Sequence, residues 1–178
     1  MNEKQDPINL FLSEDSVARH KEHVRQIHLR YSILQKSETI LKNHDIREIP
    51  WQKLPSDLRS EAYSYLSEIE LHDAFFSSFT DLTFLPLSEN CLGYGNAQQL
   101  LNHLYRLGKE GVGGFAVVYK VGRKILVKRL LPPYRELLTI RPLLALDLAE
   151  HAYFPDYAFD MERYLLAALP HLDVSRLG

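Results

Sequence analysis

An acidic side chain and a histidine stand four residues apart where an apolar stretch of the sequence ends. Asp147 and His151 lie in the segment LLALDLAEHAYFPDY, residues 143–157, between aliphatic residues and an aromatic cluster. A carboxylate at this place can cap the start of a helix, because it accepts hydrogen bonds from amides that lack a partner within the helix. The same two side chains can instead supply half of a metal site. This segment alone leaves both interpretations open.

Further histidines could complete such a site. The chain contains eight histidines, and a lone histidine on an amphipathic helix is more often a packing residue than a ligand. Two predicted helices in the N-terminal half carry, in chain order, His20, His23, His28 and His72. One imidazole from each helix, with Asp147 and His151, would give three imidazoles and one carboxylate. This donor set suits iron or manganese without any thiolate.

The two predicted helices form a long hairpin. Between Ser13 and about Asn43, apolar residues recur every three or four positions, which is typical of an amphipathic helix. Ser13 or Ser16 can cap its start. A second helix is predicted to begin at Asp57 or Ser60 and to continue through EAYSYLSEIELHDAFFSSF. The polar segment PLSENCLGYGN contains helix-breaking residues and is predicted to end the hairpin.

The C-terminal half predicts a small antiparallel sheet flanked by helices. NAQQLLNHLYRLGK is predicted to be helical with Asn96 as its cap, and FAVVYKV and KILVKRLL form a hairpin around the dipeptide GR. A third strand, LLTIRPLLALD, should lie at an edge or contain a bulge because of Pro142. The predicted class is α+β. A helical hairpin domain is expected at residues 1–87 and a smaller α/β domain with a three-stranded sheet at 88–178, with the metal site between them.

Composition and charge exclude several classes of function. The 178 residues are 46% hydrophobic and 25% charged, which is typical of a globular protein. A net charge of −2 leaves no basic excess, so no nucleic-acid partner is expected. Cys91 is the single cysteine, so any metal site must depend on imidazole and carboxylate. The sequence has neither an apolar run of about 18 residues nor a secretory signal, which predicts a cytoplasmic protein without a membrane partner.

Five motifs together resemble the iron/manganese superoxide dismutase family. DLAEHAYFPDY resembles the family's signature D-x-W-E-H-A-Y-x-x-x-Y, and LHDAFF resembles its second-helix motif of a histidine followed by aromatics. YGNAQQL resembles F-G-S-x-x-x-F at the start of a helix. GVGGFAVVYK stands where the family has G-S-G-W-x-W-L-V-K, and PLLALD stands where its third strand leads to the ligand aspartate. Each motif is weak alone, but five in the family's order are fairly specific.

The resemblance implies a mononuclear iron or manganese centre, with one ion per subunit. The family's ligands then fall on His72, Asp147 and His151. The implied reaction converts superoxide to oxygen and hydrogen peroxide, with superoxide as the small-molecule partner. The same ligand set serves either metal, so the sequence does not choose between them.

The ligand on the first helix has two candidates. In the family it lies eight residues before an active-site tyrosine. The segment HVRQIHLRY satisfies that spacing with His23 and Tyr31, which favours His23 as the ligand. His20 is the alternative, and His28 would then stand in the tyrosine's place.

Two residues are expected to act beside the ion. The family places a glutamine against the metal-bound solvent, either four residues before the second-helix ligand or in the loop before the third strand. The first position is Glu68 here, and the loop LLPPYRELL contains no glutamine. Glu68 would hydrogen-bond the solvent, and Tyr31 would help to relay a proton. Both are therefore predicted catalytic residues.

Several departures from the family keep other functions open. Smaller residues replace its tryptophans, as Ala149 does in the C-terminal signature, and would leave a wetter site. The first alternative is a superoxide-dismutase-like metal-binding protein with weak or no dismutase activity or another redox role. The second is a helical interaction module without a metal.

The resemblance also implies a homodimer. The family joins a first-helix histidine to a tyrosine of the partner subunit, and this chain has Ile27 and Phe154 at those positions. Both members of the pair are apolar here, which costs less than leaving one polar member buried without a partner. Glu150, whose family counterpart bonds to the partner's ligand histidine, is retained. These three residues are expected at or near the interface.

Overall fold

Two long antiparallel helices form the N-terminal part of the fold. In this computed structural model they are α1 (Glu14–Ser37) and α2 (Ser56–Phe76), joined through short 3-10 helices. Ser13 caps α1, because its hydroxyl accepts a hydrogen bond of 3.2 Å from the amide of Ser16. The predicted cap at Ser13 is therefore confirmed. The structure describes residues 6–42, 45–81, 94 and 96–177.

A three-stranded antiparallel sheet with flanking helices forms the C-terminal part. The strand order is β2-β1-β3, so β1 is central and pairs with both neighbours. The predicted α+β class is confirmed. The elements are, in chain order, α3 (Ala97–Lys109), β1 (Phe115–Val121), β2 (Lys124–Leu130), β3 (Pro142–Asp147), α4 (Glu150–Tyr157) and α5 (Met161–Ala168).

Local signals in the sequence fix the ends and edges of these elements. The side chain of Asn96 accepts a hydrogen bond of 3.0 Å from the amide of Gln99 and caps α3, as predicted. Pro142 begins the edge strand β3 and pairs with Tyr119, where the register between β1 and β3 shifts. The prediction of an edge position or a bulge is confirmed, because proline has no amide to donate to the ladder.

One apolar core joins the helices to the sheet. Buried residues of α1, α2 and all three strands belong to a single packed cluster. At the end of α2, the Ser78 hydroxyl accepts a hydrogen bond of 2.8 Å from the Ala145 amide in β3. The hydroxyl of Tyr164 in α5 donates to the carbonyl oxygen of Asp147 at 3.0 Å. These contacts hold the end of β3 beside the hairpin.

Some sequence predictions fall outside the described residues. The proposed boundary between residues 87 and 88 lies there, as does Cys91, so the division into two domains stays a prediction. Within the described ranges, no helix has the length and apolar character needed to cross a membrane.

Gly114, at the entrance to β1, should be intolerant of any side chain. Its φ is +70°, and a Cβ atom there would lie 2.1 Å from the carbonyl oxygen of Leu130. Gly122, in the hairpin turn, has φ +59° and open space around it, so Gly122→Ala should cost only the about 1–2 kcal/mol of left-handed backbone. We expect Gly114→Ala to lower the free energy of unfolding clearly more in chemical denaturation. Equal losses of unfolding free energy in the two variants would contradict the close approach of Gly114 to the carbonyl oxygen of Leu130.

Candidate metal centre

Four polar side chains from four elements converge in the core. They are His20 of α1, His72 of α2, Asp147 at the end of β3 and His151 of α4, here called the four-residue cluster. One ligand atom of each lies within 4.8 Å of the other three. The Oδ2 atom of Asp147 is 3.2 Å from His20 Nε2, 3.5 Å from His72 Nε2 and 3.1 Å from His151 Nε2. The Nε2 atoms of His72 and His151 are 3.5 Å apart.

The cluster is closed on the core side and open at one edge. His20, His72 and Asp147 are buried, whereas the His151 side chain is 37% exposed. Aromatic rings line the closed side, with Phe115 edge-on to His72 at 5.1 Å between ring centroids. Access from solvent is therefore along His151.

Two polar atoms of the cluster without hydrogen bonds are compatible with a bound cation. His20 Nε2 and Asp147 Oδ2 are both buried and, although only 3.2 Å apart, form no hydrogen bond. Nearly all buried polar atoms have a partner, because an unpaired one costs about 1–3 kcal/mol. Ligand atoms at roughly 2.1 Å from one ion lie roughly 3.0–4.2 Å apart, depending on the coordination geometry. Four of the six separations, 3.1–3.5 Å, fit a single ion, and the two from His20 to the other imidazoles lie within 4.8 Å.

Hydrogen bonds outside the cluster orient its ligand atoms. His72 Nδ1 lies 2.7 Å from the carbonyl oxygen of Glu68, which can only accept, so Nδ1 carries the proton and Nε2 presents a lone pair to the cluster. Asp147 Oδ1 accepts a hydrogen bond of 2.8 Å from the Ala149 amide. This bond leaves Oδ2 directed at the three imidazoles.

The protonation states suit metal binding at neutral pH. Burial disfavours the charged form of Asp147, but the His151 and His20 rings outweigh burial and hold the pKa of this carboxyl well below its usual range. Burial lowers the pKa of His72 to about 4. Burial also acts to lower the pKa of His151, but the adjacent Asp147 carboxylate raises it overall. The cluster thus contains one carboxylate and at least one neutral imidazole, the forms that bind metals.

The structure brings together three of the four predicted ligands and replaces the other. His72, Asp147 and His151 are in the cluster, but the first-helix member is His20, the alternative, rather than His23. The His20 ring is buried against Phe75, with the ring centroids 5.0 Å apart. His23 is exposed and lies at the rim of the cluster.

The two predicted catalytic residues, Tyr31 and Glu68, differ in how near they lie to the four-residue cluster. The hydroxyl of Tyr31 donates to the carbonyl oxygen of Leu41 at 3.0 Å, so it is engaged away from the predicted metal-bound solvent. Tyr31 lies far from the four-residue cluster because it follows His20 by 11 residues, which corresponds to roughly 16 Å along the helix axis. Glu68 is half-buried near the cluster. Burial raises its pKa, opposed by the charge of His151.

Tyr134 is a residue that the sequence prediction missed. It lies in the loop before β3, is 6% exposed, and has a φ of 55°, which is unusual for a bulky residue. Burial raises the pKa of its hydroxyl, and the charges of Glu68 and Asp147 raise it further. The family pattern points to a glutamine in this loop and therefore gives no role to the tyrosine. The signal in the sequence that could have identified Tyr134 is the position of its loop directly before β3, the strand that ends at Asp147.

Comparisons with known proteins identify no family for this chain. No protein-family model matches it, and no curated protein matches it. The assignment of a metal site therefore rests on the four-residue cluster itself: its donor atoms, their separations, and the buried atoms without hydrogen bonds.

Removal of the carboxylate should strip the ion. Loss of outer contacts to a metal ligand typically costs about 10–100-fold in affinity, so loss of a direct anionic ligand should cost more. We expect Asp147→Ala to contain little iron or manganese by elemental analysis. Asp73→Ala, which removes a carboxylate from the next position after His72 but outside the cluster, is the matched control. Full metal content in Asp147→Ala would contradict this site.

The lowered pKa of His72 should make the metal-free protein sensitive to acid. The unfolded chain, with a histidine pKa near 6.5, binds this proton before the folded chain does, so stability falls from about pH 6.5 until the folded ring titrates near pH 4. The two values imply a loss of about 3 kcal/mol. His151 acts in the opposite sense because its pKa is raised. Chemical denaturation of metal-free protein at several pH values should show a steeper acid loss than in His72→Gln, and equal slopes would contradict this assignment.

Proposed function

We propose that this protein is a superoxide dismutase of the iron/manganese type. His20, His72, Asp147 and His151 would hold one iron or manganese ion. The observation that carries the proposal is the buried cluster of three imidazoles and one carboxylate. The motif resemblance of DLAEHAYFPDY, which supplies two of these ligands, supports the same reaction class.

The bound ion would supply one-electron redox chemistry, by which two superoxide anions and two protons give oxygen and hydrogen peroxide. The residues of the chain would bind the ion and orient the superoxide anion. Asp147 contributes the one carboxylate of the cluster, so the loaded site would keep a positive charge that attracts an anion. The aromatic wall excludes water on the core side, and the exposed edge of His151 gives a small anion access.

Glu68 is the candidate for holding a proton beside the site. Its half-buried carboxyl lies on the turn of α2 before His72, and its own backbone carbonyl orients that ring. Burial raises the pKa of this carboxyl, so its protonated form, which can donate a hydrogen bond, is more accessible than that of an exposed glutamate. Tyr134, whose ring centroid lies 6.0 Å from that of Phe115, would line the same region.

A second candidate is a metal-binding protein of the same kind with weak or no dismutase activity or another redox role. The hydrogen bond from Tyr31 to Leu41 favours this alternative, because it removes the hydroxyl predicted to relay a proton. The exposure of His151 acts in the same direction, since water near the ion weakens local electrostatic control.

The expected homodimer remains part of the proposal. Ile27 is 6% exposed and belongs to the core of the chain, so it would lie near the interface rather than contact the partner. Phe154 is 43% exposed and packs edge-to-face on Phe159, with ring centroids 5.0 Å apart, and Glu150 is also exposed.

Superoxide consumption by metal-loaded protein tests the proposed activity. Iron-loaded and manganese-loaded samples, with metal content measured on the same material, should consume superoxide catalytically with at least one metal. Asp147→Ala should lose this activity along with its metal. Stoichiometric metal without catalysed consumption would leave the second candidate function in its place.

Glu68→Gln should shift the reduction potential of the bound metal. The substitution keeps the shape of the side chain but removes its titratable proton, which alters the hydrogen bonding available to metal-bound solvent. Glu61→Gln, on the exposed face of the same helix, is the matched control. Redox titration of the loaded protein measures both variants, and an unchanged potential in Glu68→Gln would place this carboxyl outside the reach of the site.

A further inference from the structure

A second imidazole of α1 stands at the open edge of the four-residue cluster. The ring of His23 lies 4.5 Å from that of His151 and 5.7 Å from that of His72, between centroids. The three imidazoles of the cluster itself are 5.0–5.8 Å apart by the same measure. By ring centroids His23 is therefore as near to these two rings as the ligand rings are to one another, although its nitrogens do not join the group of ligand atoms that lie within 4.8 Å of one another.

The helix places His20 and His23 as a pair. Residues three apart on a helix are neighbours on one face, and ligand pairs at this spacing bind metals in helical proteins. Within the described residues, His23 makes ring contacts with His72 and His151 and no hydrogen bond. Its nitrogens are thus not committed to other protein groups.

The position of His23 matches the direction from which the cluster is open. His20, His72 and Asp147 are closed in by the core, while His151 is exposed along the edge where His23 lies. An exposed side chain changes rotamer at low cost, because all its staggered conformations remain accessible. A rotation of this side chain over the edge of the cluster would require no rearrangement of the core.

We propose that His23 is a fifth protein ligand, so that the ion is bound by four imidazoles and one carboxylate. This inference rests on the metal-binding part of the proposed function. Five protein ligands leave one position on an octahedral ion, which would admit a single small molecule such as solvent or superoxide. The two histidines of α1 would then both be ligands rather than alternatives.

Divalent manganese and cobalt bound to the full chain provide the test. Pulsed electron paramagnetic resonance of the Mn²⁺-loaded protein should show four coordinated imidazole nitrogens, and three in His23→Gln. Titration with Co²⁺ should show affinity weakened by about 10–100-fold in His23→Gln, with a changed visible absorption band. The matched control is His103→Gln, which removes a half-buried histidine of α3 and should change neither signal. Circular dichroism checks that the variants are folded.

The outcomes separate this inference from the proposed function. Three imidazole nitrogens in the wild type, or identical spectra and affinity in His23→Gln, would overturn the fifth ligand even where superoxide is still consumed. Wild-type protein that binds neither Mn²⁺ nor Co²⁺ would overturn both the ligand and the metal site. A loaded wild type with four imidazole nitrogens but no catalysed superoxide consumption would support the fifth ligand and reject the dismutase.

Discussion

The buried charge of Asp147 is the constraint on which the rest of the structure depends. An ionised carboxylate in a protein interior is costly unless charges and hydrogen bonds compensate it. Here an amide from Ala149 binds one oxygen, and three imidazoles surround the other. Those imidazoles come from three different helices, so the compensation exists only when the hairpin and the sheet pack against each other. The three imidazoles that compensate the buried charge of Asp147 also form, with that carboxylate, a donor set for a cation.

The fold was largely predictable because its signals are local. The hydroxyl of Ser13 and the amide of Asn96 cap helices where the sequence placed them, and Pro142 lies on an edge strand beside a shift of register. Each effect involves one residue and its near neighbours, so no knowledge of the tertiary packing was needed. Boundaries between larger units have no such local chemistry, and the proposed division near residue 87 was not defined by comparable signals.

The residues of the site were easiest to predict where they form contiguous motifs and hardest where the rotation of a helix decides which side chain is buried. Asp147, His151 and His72 follow from short segments, but the choice between His20 and His23 depends on which face of α1 meets the core. The buried residues of α1 answer that question in retrospect, since their spacing alternates between three and four. Apart from Ser16, which lies beside the N-cap, they are, in order, Val17, His20, Val24, Ile27 and Tyr31. His20 completes this row of buried positions on one face of α1. Tyr31 belongs to the same buried face, so its hydroxyl donates a hydrogen bond to the backbone carbonyl oxygen of Leu41.

The spread of the ligands along the chain has a consequence for biosynthesis. During translation, an emerging chain carries His20 and His72 long before the ribosome reaches Asp147 and His151. Two distant imidazoles on an unfinished polypeptide bind a cation poorly, because bringing them together costs the entropy of closing a long loop. Binding of an ion by the full four-residue cluster would therefore have to follow synthesis of the segment that carries Asp147 and His151.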